Sequence, residues 1–367
     1  MKNHKRAILA FAFLSASLAL SSPINAHELP VGDGKVSTGP KVGYVFACNQ
    51  NFRGGGARHT GEWFHGDTWD PSAKPHVKGK VMWPDATFSM SPSGPNMAVQ
   101  GNSLPVGQAT GNFPIDESDP AYQYDTNPNS IKPTILSFSI PAQPVKSSSV
   151  GCLSMGMIGF TITGVPFYNA LDAAGRDAAA HEVQDLCDGH PQGKGQYHYH
   201  SSSPCLPGAK SNEVVGWALD GYPILGMNDG SGKRITNADL DSCHGRQETI
   251  NIDGRNYDYG YRLTEEYPYT LGCFSGQVLD KTKQSTSANM GPSGQKGEKR
   301  KGAGNSQSAG LGSGPGSPPQ EALDACATLN QGDTCSFVGR GGNQRSGTCG
   351  TPPKMKNSGL LCMPKRG

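Results

Sequence analysis

Alternating hydrophobic and polar residues dominate the pattern between residues 27 and 276. The segments 134–140, 157–163, 215–219 and 257–263 each place an apolar or aromatic side chain at every second position. A period of two with a half-polar opposite face is typical of antiparallel strands packed on one side. Clusters of Asn, Asp and Gly separate these runs, as they do between strands. We therefore predict a mainly β region with antiparallel, sandwich-like sheets.

Two short helices are predicted to interrupt the strands. The segment from Asp177 to Cys187 repeats apolar residues at helical spacing, which favours one amphipathic helix. Its apolar stripe consists of Ala179, Val183 and Leu186. The second helix is expected to begin at Thr236, where Asp239 three residues later forms a variant of the capping box. The 50 Gly and 28 Pro among 367 residues argue against a helical bundle.

The first 26 residues have the pattern of a secretory signal peptide. A basic start precedes the apolar run Ala7–Leu20, and small polar residues lead to a cleavage position after Ala26. The apolar run is too short to cross a bilayer as a helix. We therefore predict an exported protein, periplasmic or secreted, without a membrane-spanning helix.

The composition changes after residue 276. Residues 277–320 are rich in Gly, Ser and Lys and contain very few apolar residues, which predicts a flexible linker. Residues 321–367 hold four cysteines and few large apolar side chains, so we predict a small tail stapled by disulfides. We therefore divide the chain after the signal peptide into a globular region (27–276), a linker (277–320) and a tail (321–367).

Charge is distributed unevenly between these parts. Residues 27–276 contain 17 Lys and Arg against 25 Asp and Glu, whereas residues 277–367 contain 12 against 5. The acidic globular part argues against nucleic acid as the main ligand. The basic linker and tail are either solvated or able to bind an anionic cell-surface or extracellular polymer.

All ten cysteines follow the signal peptide, and an even number in an exported chain predicts disulfides rather than zinc ligands. Six precede the linker and four follow it, so the two sets are expected to pair separately. A Cys187–Cys205 bond would close a loop around the most unusual motif of the chain. The remaining pairings are left open among Cys48, Cys152, Cys243, Cys273, Cys326, Cys335, Cys349 and Cys362.

That motif is the tetrapeptide Tyr-His-Tyr-His at residues 197–200. If this segment is extended, His198 and His200 project from one face, and Tyr197 and Tyr199 project from the other. Two imidazoles on one strand face can converge on a single cation when a third ligand joins them. The tyrosines would pack into the core behind them and hold the strand in place.

Further histidines near the tetrapeptide strengthen the prediction of a transition-metal site, with zinc or copper as the candidate ions. His190 is the favoured third ligand, and His181 and His244 are the alternates. Asp185 lies one helical turn after His181 and is expected to orient its ring. Asp188 is a second acidic candidate for a hydrogen bond to one of the metal ligands. Tyr197 and Tyr199 are expected to support the strand that carries His198 and His200 from its opposite face.

Three functional interpretations remain open at this point. The histidines are metal ligands; or they are hydrogen-bonded core residues of a structural or surface-interaction module; or the protein is a secreted metal-dependent hydrolase or copper redox protein. The sequence contains no Gly-x-Ser-x-Gly, phosphate-binding loop or His-Glu-x-x-His motif. Whether the protein is an enzyme, and what reaction it would catalyse, therefore stays open.

The chain also resembles the YHYH family of exported proteins, which takes its name from the tetrapeptide. The resemblance covers roughly residues 30–276, with the YHYH domain at about 90–276. It implies an exported protein and assigns neither activity nor cofactor. The segments that carry it, besides 197–200, are Trp63–Asp70, Asn169–Asp172, His181–Asp185, Cys187–Pro191, Ser203–Cys205, Ala218–Gly221, Asp239–Gly245 and Tyr267–Cys273.

Overall fold

The computed structural model describes two units, within residues 1–295 and 296–367. The predicted signal peptide and most of the predicted linker lie outside the described residues. Within the part of the chain that the structure describes, no helix is both long and apolar enough to cross a membrane. The described residues are 28–52, 54–57, 60–280, 282–283, 322, 325–326, 329–338, 344–351 and 360–364.

The first unit is β-rich, as predicted, and its regular structure consists almost entirely of short strands. Its strands in the described residues are β1 (Leu29–Pro30), β2 (Val36–Ser37), β3 (Val45–Phe46), β4 (Phe64–His65), β5 (Thr68–Trp69), β6 (Val81–Met82), β7 (Phe88–Ser93), β8 (Asn96–Gly101), β9 (Ala109–Thr110), β10 (Leu136–Pro141), β11 (Lys146–Gly151), β12 (Met157–Thr161), β13 (Pro166–Tyr168), β14 (Gly189–Pro191), β15 (Tyr197–Tyr199), β16 (Val214–Ala218), β17 (Pro223–Leu225), β18 (Gly245–Ile252), β19 (Arg255–Arg262) and β20 (Phe274–Gly276). The four segments predicted from period-two patterns correspond to β10, β12, β16 and β19.

An eight-stranded sheet forms the centre of this unit, in the order β14-β15-β13-β12-β16-β17-β19-β18. Its neighbours are antiparallel except for the parallel pairs β13–β15 and β17–β19. Strand β12 is buried along its whole length, because side chains cover both faces of the sheet there. The small sheets β10-β8-β7 and β1-β5-β4 and three two-stranded pairs complete the unit.

The predicted helix over residues 177–187 is wrong in its length. Helix α1 spans only Ala178–His181, with Asp177 as its N-cap, and Glu182 already has an extended backbone. The chain leaves the helix because it pairs with a neighbouring segment: the Val77 amide donates to the carbonyl oxygen of Gln184. As a result Leu186, predicted on the apolar stripe, is 63% exposed.

The second predicted helix is confirmed as a single 3₁₀ turn. It spans Asn237–Asp239 after the N-cap Thr236, and Thr236 and Asp239 form the expected reciprocal capping box. Another 3₁₀ turn occupies Pro120–Gln123.

Disulfides join the six cysteines of the first unit as Cys48–Cys152, Cys187–Cys205 and Cys243–Cys273. The predicted Cys187–Cys205 bond is therefore confirmed. It closes the loop that contains β14 and β15.

The second unit is a three-stranded antiparallel sheet of β21 (Thr334–Val338), β22 (Gln344–Gly350) and β23 (Leu361–Pro364). Its disulfides are Cys326–Cys349 and Cys335–Cys362. Cys326, Cys335 and Cys349 lie close enough to suggest a metal cluster. Their sulfur atoms are consumed by disulfides, which leaves no thiolate for a metal.

Candidate metal centre

A tight hairpin brings the histidines together. Strands β14 and β15 pair antiparallel at the edge of the large sheet, with His190 directly opposite His198. His200 follows β15 and lies on the same side as His198. The close approach of the two strands needs a glycine at 189, since a Cβ there would lie 2.2 Å from the Tyr197 ring.

The three imidazoles point to one spot, and a carboxylate joins them. The His198 Nε2 and His200 Nε2 atoms are 3.0 Å apart. Ligand atoms of His190, His198 and His200 all lie within 4.8 Å of one another. The Glu182 Oε2 atom is 3.4 Å from the Nε2 atoms of both His190 and His200. Four potential ligand atoms on three segments of the chain therefore surround one point.

Backbone carbonyls decide which ring nitrogens carry protons. The His198 Nδ1 atom lies 3.1 Å from the Gln196 carbonyl oxygen, and the His200 Nδ1 atom lies 2.6 Å from the Asn169 carbonyl oxygen. A carbonyl only accepts hydrogen bonds, so both Nδ1 atoms carry the proton. In a neutral ring the Nε2 atom is then a lone-pair acceptor. Two acceptors thus face each other across 3.0 Å.

The cluster is buried and leaves several polar atoms unpaired. His190, His198 and His200 are each at most 5% exposed. Both ring nitrogens of His190 and the Glu182 Oε2 atom make no hydrogen bond to the described residues. Burial lowers the pKa of all three imidazoles, that of His200 to about 4, so the rings are neutral near pH 7. Burial also raises the pKa of Glu182 well above its usual value.

The donor set fits a tetrahedral metal ion. With metal–ligand distances of about 2.0–2.1 Å, neighbouring ligand atoms of a tetrahedral site are ~3.3–3.4 Å apart. The 3.0 Å and 3.4 Å separations around His200 are close to that value. Unpaired buried lone pairs are otherwise costly, by about 1–3 kcal/mol each. A bound cation would satisfy them together.

The opposite face of β15 packs its two tyrosines into the core and anchors them by hydrogen bonds. The Tyr197 hydroxyl donates to both carboxylate oxygens of Asp185 at 2.9 Å, and Tyr199 donates to Gln108 at 3.2 Å. Asp185 also accepts the amides of Gly111, Cys187 and Gly189. On the histidine side the Tyr168 ring stacks on His198 with 3.8 Å between centroids.

The other sequence-predicted residues lie outside the cluster. His181 bonds through Nε2 to Asp33 at 2.8 Å, and His244 bonds through Nε2 to Thr264 at 3.0 Å. Asp185 does not orient the His181 ring, because the helix ends before it and its carboxylate faces Tyr197 instead. Asp188 lines a separate cavity of about 740 Å³.

Sequence reasoning missed Glu182. Within the expected helix its side chain had no reason to meet the tetrapeptide; the early end of α1 turns it toward the histidines. A buried lysine fixes this turn, since the Lys74 ammonium donates to the carbonyl oxygens of Ala179 and Glu182 and to the Gln184 side chain. The sequence shows an acidic residue next to His181, but it does not show which way that side chain points.

The cluster opens into a cavity of about 440 Å³. This volume suits a small ligand. Its lining includes the four clustered residues and Tyr168 together with Gly56, Asp125, Asn127, Asn129, Asp172 and Gln192.

Comparison with known proteins agrees with the tetrapeptide. Residues 137–234 match the family model described as YHYH protein. The chain contains a YHYH domain. The matched segment holds Glu182 and the three clustered histidines and ends before His244. No curated protein and no solved structure matches the chain.

Proposed function

We propose that His190, His198, His200 and Glu182 of this YHYH-domain protein hold one transition-metal ion, zinc or copper. The observation that carries the proposal is the meeting of lone pairs. Two Nε2 acceptors lie 3.0 Å apart, and a carboxylate oxygen without a hydrogen bond lies 3.4 Å from one of them.

A purely structural role explains this arrangement less well. Core histidines are expected to be hydrogen-bonded, as His181 and His244 are through their Nε2 atoms, whereas His190 has no partner on either ring nitrogen among the described residues; the Nδ1 atom of His181 is also unpaired there. A proton shared between His198 and His200 would be an alternative bridge, but burial disfavours the imidazolium form of these two rings. Asp125 and Asp172 add negative potential that favours a cation, and Arg176 and Lys74 counteract it.

Imidazole and carboxylate ligands suit zinc and copper. When bound, such an ion supplies Lewis acidity or, in the case of copper, an electron-transfer centre. The chain's own contribution is orientation: carbonyl oxygens fix two rings, Tyr168 stacks on His198, and Lys74 holds the backbone of Glu182. Hydrolysis and copper redox chemistry both remain candidates within this proposal.

We also propose that the protein works outside the cytosol. All ten cysteines form disulfides, which persist mainly in oxidising compartments. The hydrophobic amino-terminal run adds support from the sequence. The basic linker and tail would then be available to an anionic polymer at the cell surface.

The test is elemental analysis of untagged protein purified from the exported fraction. We expect about one zinc or copper per chain, and its loss in the double variant His198→Ala/His200→Ala. His65→Ala is the matched control, because His65 is half exposed and paired with Glu28 away from the cluster. It should keep the metal.

Circular dichroism should show that the double variant still folds. If wild-type protein holds no metal after incubation with zinc and with copper, the proposal is wrong and the histidines belong to a structural module.

A further inference from the structure

The cavity of about 740 Å³ that Asp188 lines, hereafter the larger cavity, is separate from the histidine cluster. Its volume lies in the range of small-molecule binding sites. Its described lining includes neither the three clustered histidines nor Glu182. One apolar lining residue, Leu186, is 63% exposed, and an apolar ligand in the cavity would cover it. The apolar part of the wall includes Leu29, Trp69, Leu186, Leu206, Met227 and Tyr269.

The buried cation in this wall has no hydrogen-bond donor left for a ligand. Lys74 is only 5% exposed, and an ammonium group has three N–H bonds. All three are used within the protein, because the Lys74 ammonium has three acceptors. These are the carbonyl oxygens of Ala179 and Glu182 and the side chain of Gln184. The Trp69 Nε1 atom is buried without a hydrogen bond, and its polar neighbour is the Tyr269 hydroxyl.

Two acceptors in the same wall lack a donor among the described residues. The Asp188 carboxylate accepts no hydrogen bond there, and it is attracted by the Lys74 charge without pairing with it directly. The His76 Nδ1 atom lies 3.1 Å from the Asp185 carbonyl oxygen and therefore carries the proton in a neutral ring. The His76 Nε2 atom is then a second acceptor. These open positions suit a ligand that donates hydrogen bonds.

The charges around the larger cavity balance, so they favour an uncharged ligand. In the described lining, Lys74 and Lys210 match Asp188 and Glu265 in number. Lys210 and Glu265 are exposed, and Glu265 also pairs with Arg234. Solvent and salt screen charges at such positions. The interior therefore holds one charge of each sign, and a charged ligand would meet a like charge as well as an opposite one.

We propose that the larger cavity binds a small uncharged molecule with an apolar ring body and an N–H or O–H group that donates to Asp188. The apolar wall would bury the ring body, and Asp188 would orient it, which is the usual division of roles in small-molecule sites. His76 offers an acceptor to a ligand with a second donor. This site does not depend on the proposed metal ion.

Two isomers of methylindole provide matched probes, because they have the same atoms and nearly the same shape but differ in one donor. The isomer methylated at carbon 3 keeps its ring N–H, whereas the isomer methylated at nitrogen lacks it. Exported full-length protein, labelled with carbon-13 at its methionine methyl groups, is titrated with each isomer at about pH 8. Met227 lines the larger cavity and Met155 lines the cavity in front of the histidines, so their methyl resonances report which cavity is occupied.

We expect the Met227 resonance to shift to saturation. The N–H isomer should bind at least about tenfold more tightly than the N-methyl isomer, as a hydrogen bond to a charged group implies. Asp188→Gly should reduce this difference to less than about threefold, because it removes the acceptor while glycine tolerates the backbone φ of 57° at this position. The matched control is Asp253→Gly, at an exposed position with φ 49°, which should keep the full difference.

Equal affinity of wild-type protein for the two isomers overturns the role of Asp188 and with it the proposal. A Met227 resonance that does not move, or a shift at Met155 instead, shows that the larger cavity is not the binding site. Since the wild-type titrations alone decide these points, misfolding of Asp188→Gly leaves the proposal falsifiable. Metal content is measured separately by elemental analysis, so failure of this proposal is distinguishable from failure of the metal site.

Discussion

Two strands of the same sheet carry alternating tyrosines, β15 and β19, and they differ in how their polar atoms are paired. In β19 the Tyr261 hydroxyl donates to Asp220 at 2.5 Å, and Asp220 also accepts the Gly276 amide. On the other face Arg262 is fully buried and bonded to Glu248. Every group named here has a partner.

In strand β15 the polar side-chain atoms all have hydrogen-bond partners on one face only. Tyr197 is bonded to Asp185, but the histidine face leaves acceptors facing acceptors. Burial alone therefore does not distinguish a structural strand from a functional one. The histidine face differs because several unmatched buried lone pairs lie close together there, and such groups are costly unless something else satisfies them.

The largest expected effect comes from removing a hydrogen-bond acceptor beside β19, where the polar groups are paired. Asp220→Ala should destabilise the protein by about 3 kcal/mol, because the Tyr261 hydroxyl and the Gly276 amide both lose a buried acceptor. Urea unfolding measures the change. Asp220→Asn, which keeps one acceptor, is the matched control and should cost about 1 kcal/mol; equal costs would contradict the pairing argument.

Metal addition should stabilise the protein through the histidine face of β15, where buried acceptors lack hydrogen bonds. Starting from chelator-treated protein, zinc at about 100 times its dissociation constant should raise the free energy of unfolding by ~2.7 kcal/mol. The Asp220→Ala variant should gain as much as wild type, whereas His198→Ala/His200→Ala should gain nothing. Stabilisation that survives in the histidine double variant would place the zinc elsewhere.

A substitution at Glu182 tests whether its carboxylate belongs to the histidine face of β15. Glu182→Gln should weaken metal binding by at least roughly 10–100-fold, which is the loss that removal of a hydrogen-bonding partner of a metal ligand typically causes. Competition with a chromophoric chelator measures the affinity. Glu213→Gln, at an exposed position, is the control and should leave it unchanged.

A smaller effect concerns pH and uses a buried histidine outside the cluster. Burial lowers the pKa of His244 to about 3. Between pH 6.5 and 3 the unfolded chain binds a proton there that the folded chain does not, so stability falls as the pH falls. In metal-free protein, His244→Gln should reduce this slope by up to about 1.4 kcal/mol per pH unit. Unfolding in urea at pH 4, 5 and 6 tests it; an unchanged slope would show that His244 protonates when folded.

Much of the fold could be read from local pattern. Period-two segments predicted β10, β12, β16 and β19, because one residue in two must face a core in any packed sheet. The predicted helix over 177–187 is too long because contacts distant in sequence override the local pattern. Helical spacing was present, but Lys74 and Val77 draw the chain into an extended form after His181, and contacts so distant in sequence leave no trace in a local pattern.

The sequence by itself determined the alternation of His198 and His200 against Tyr197 and Tyr199, since side chains of a strand must alternate between its two faces. Only the tertiary structure decided which further side chains join them in the cluster. Antiparallel pairing selected His190 over His181 and His244, and the early end of α1 brought Glu182 in. The physical reason is that the convergence of these side chains depends on hairpin register and chain direction. Both are fixed by packing among segments far apart in sequence.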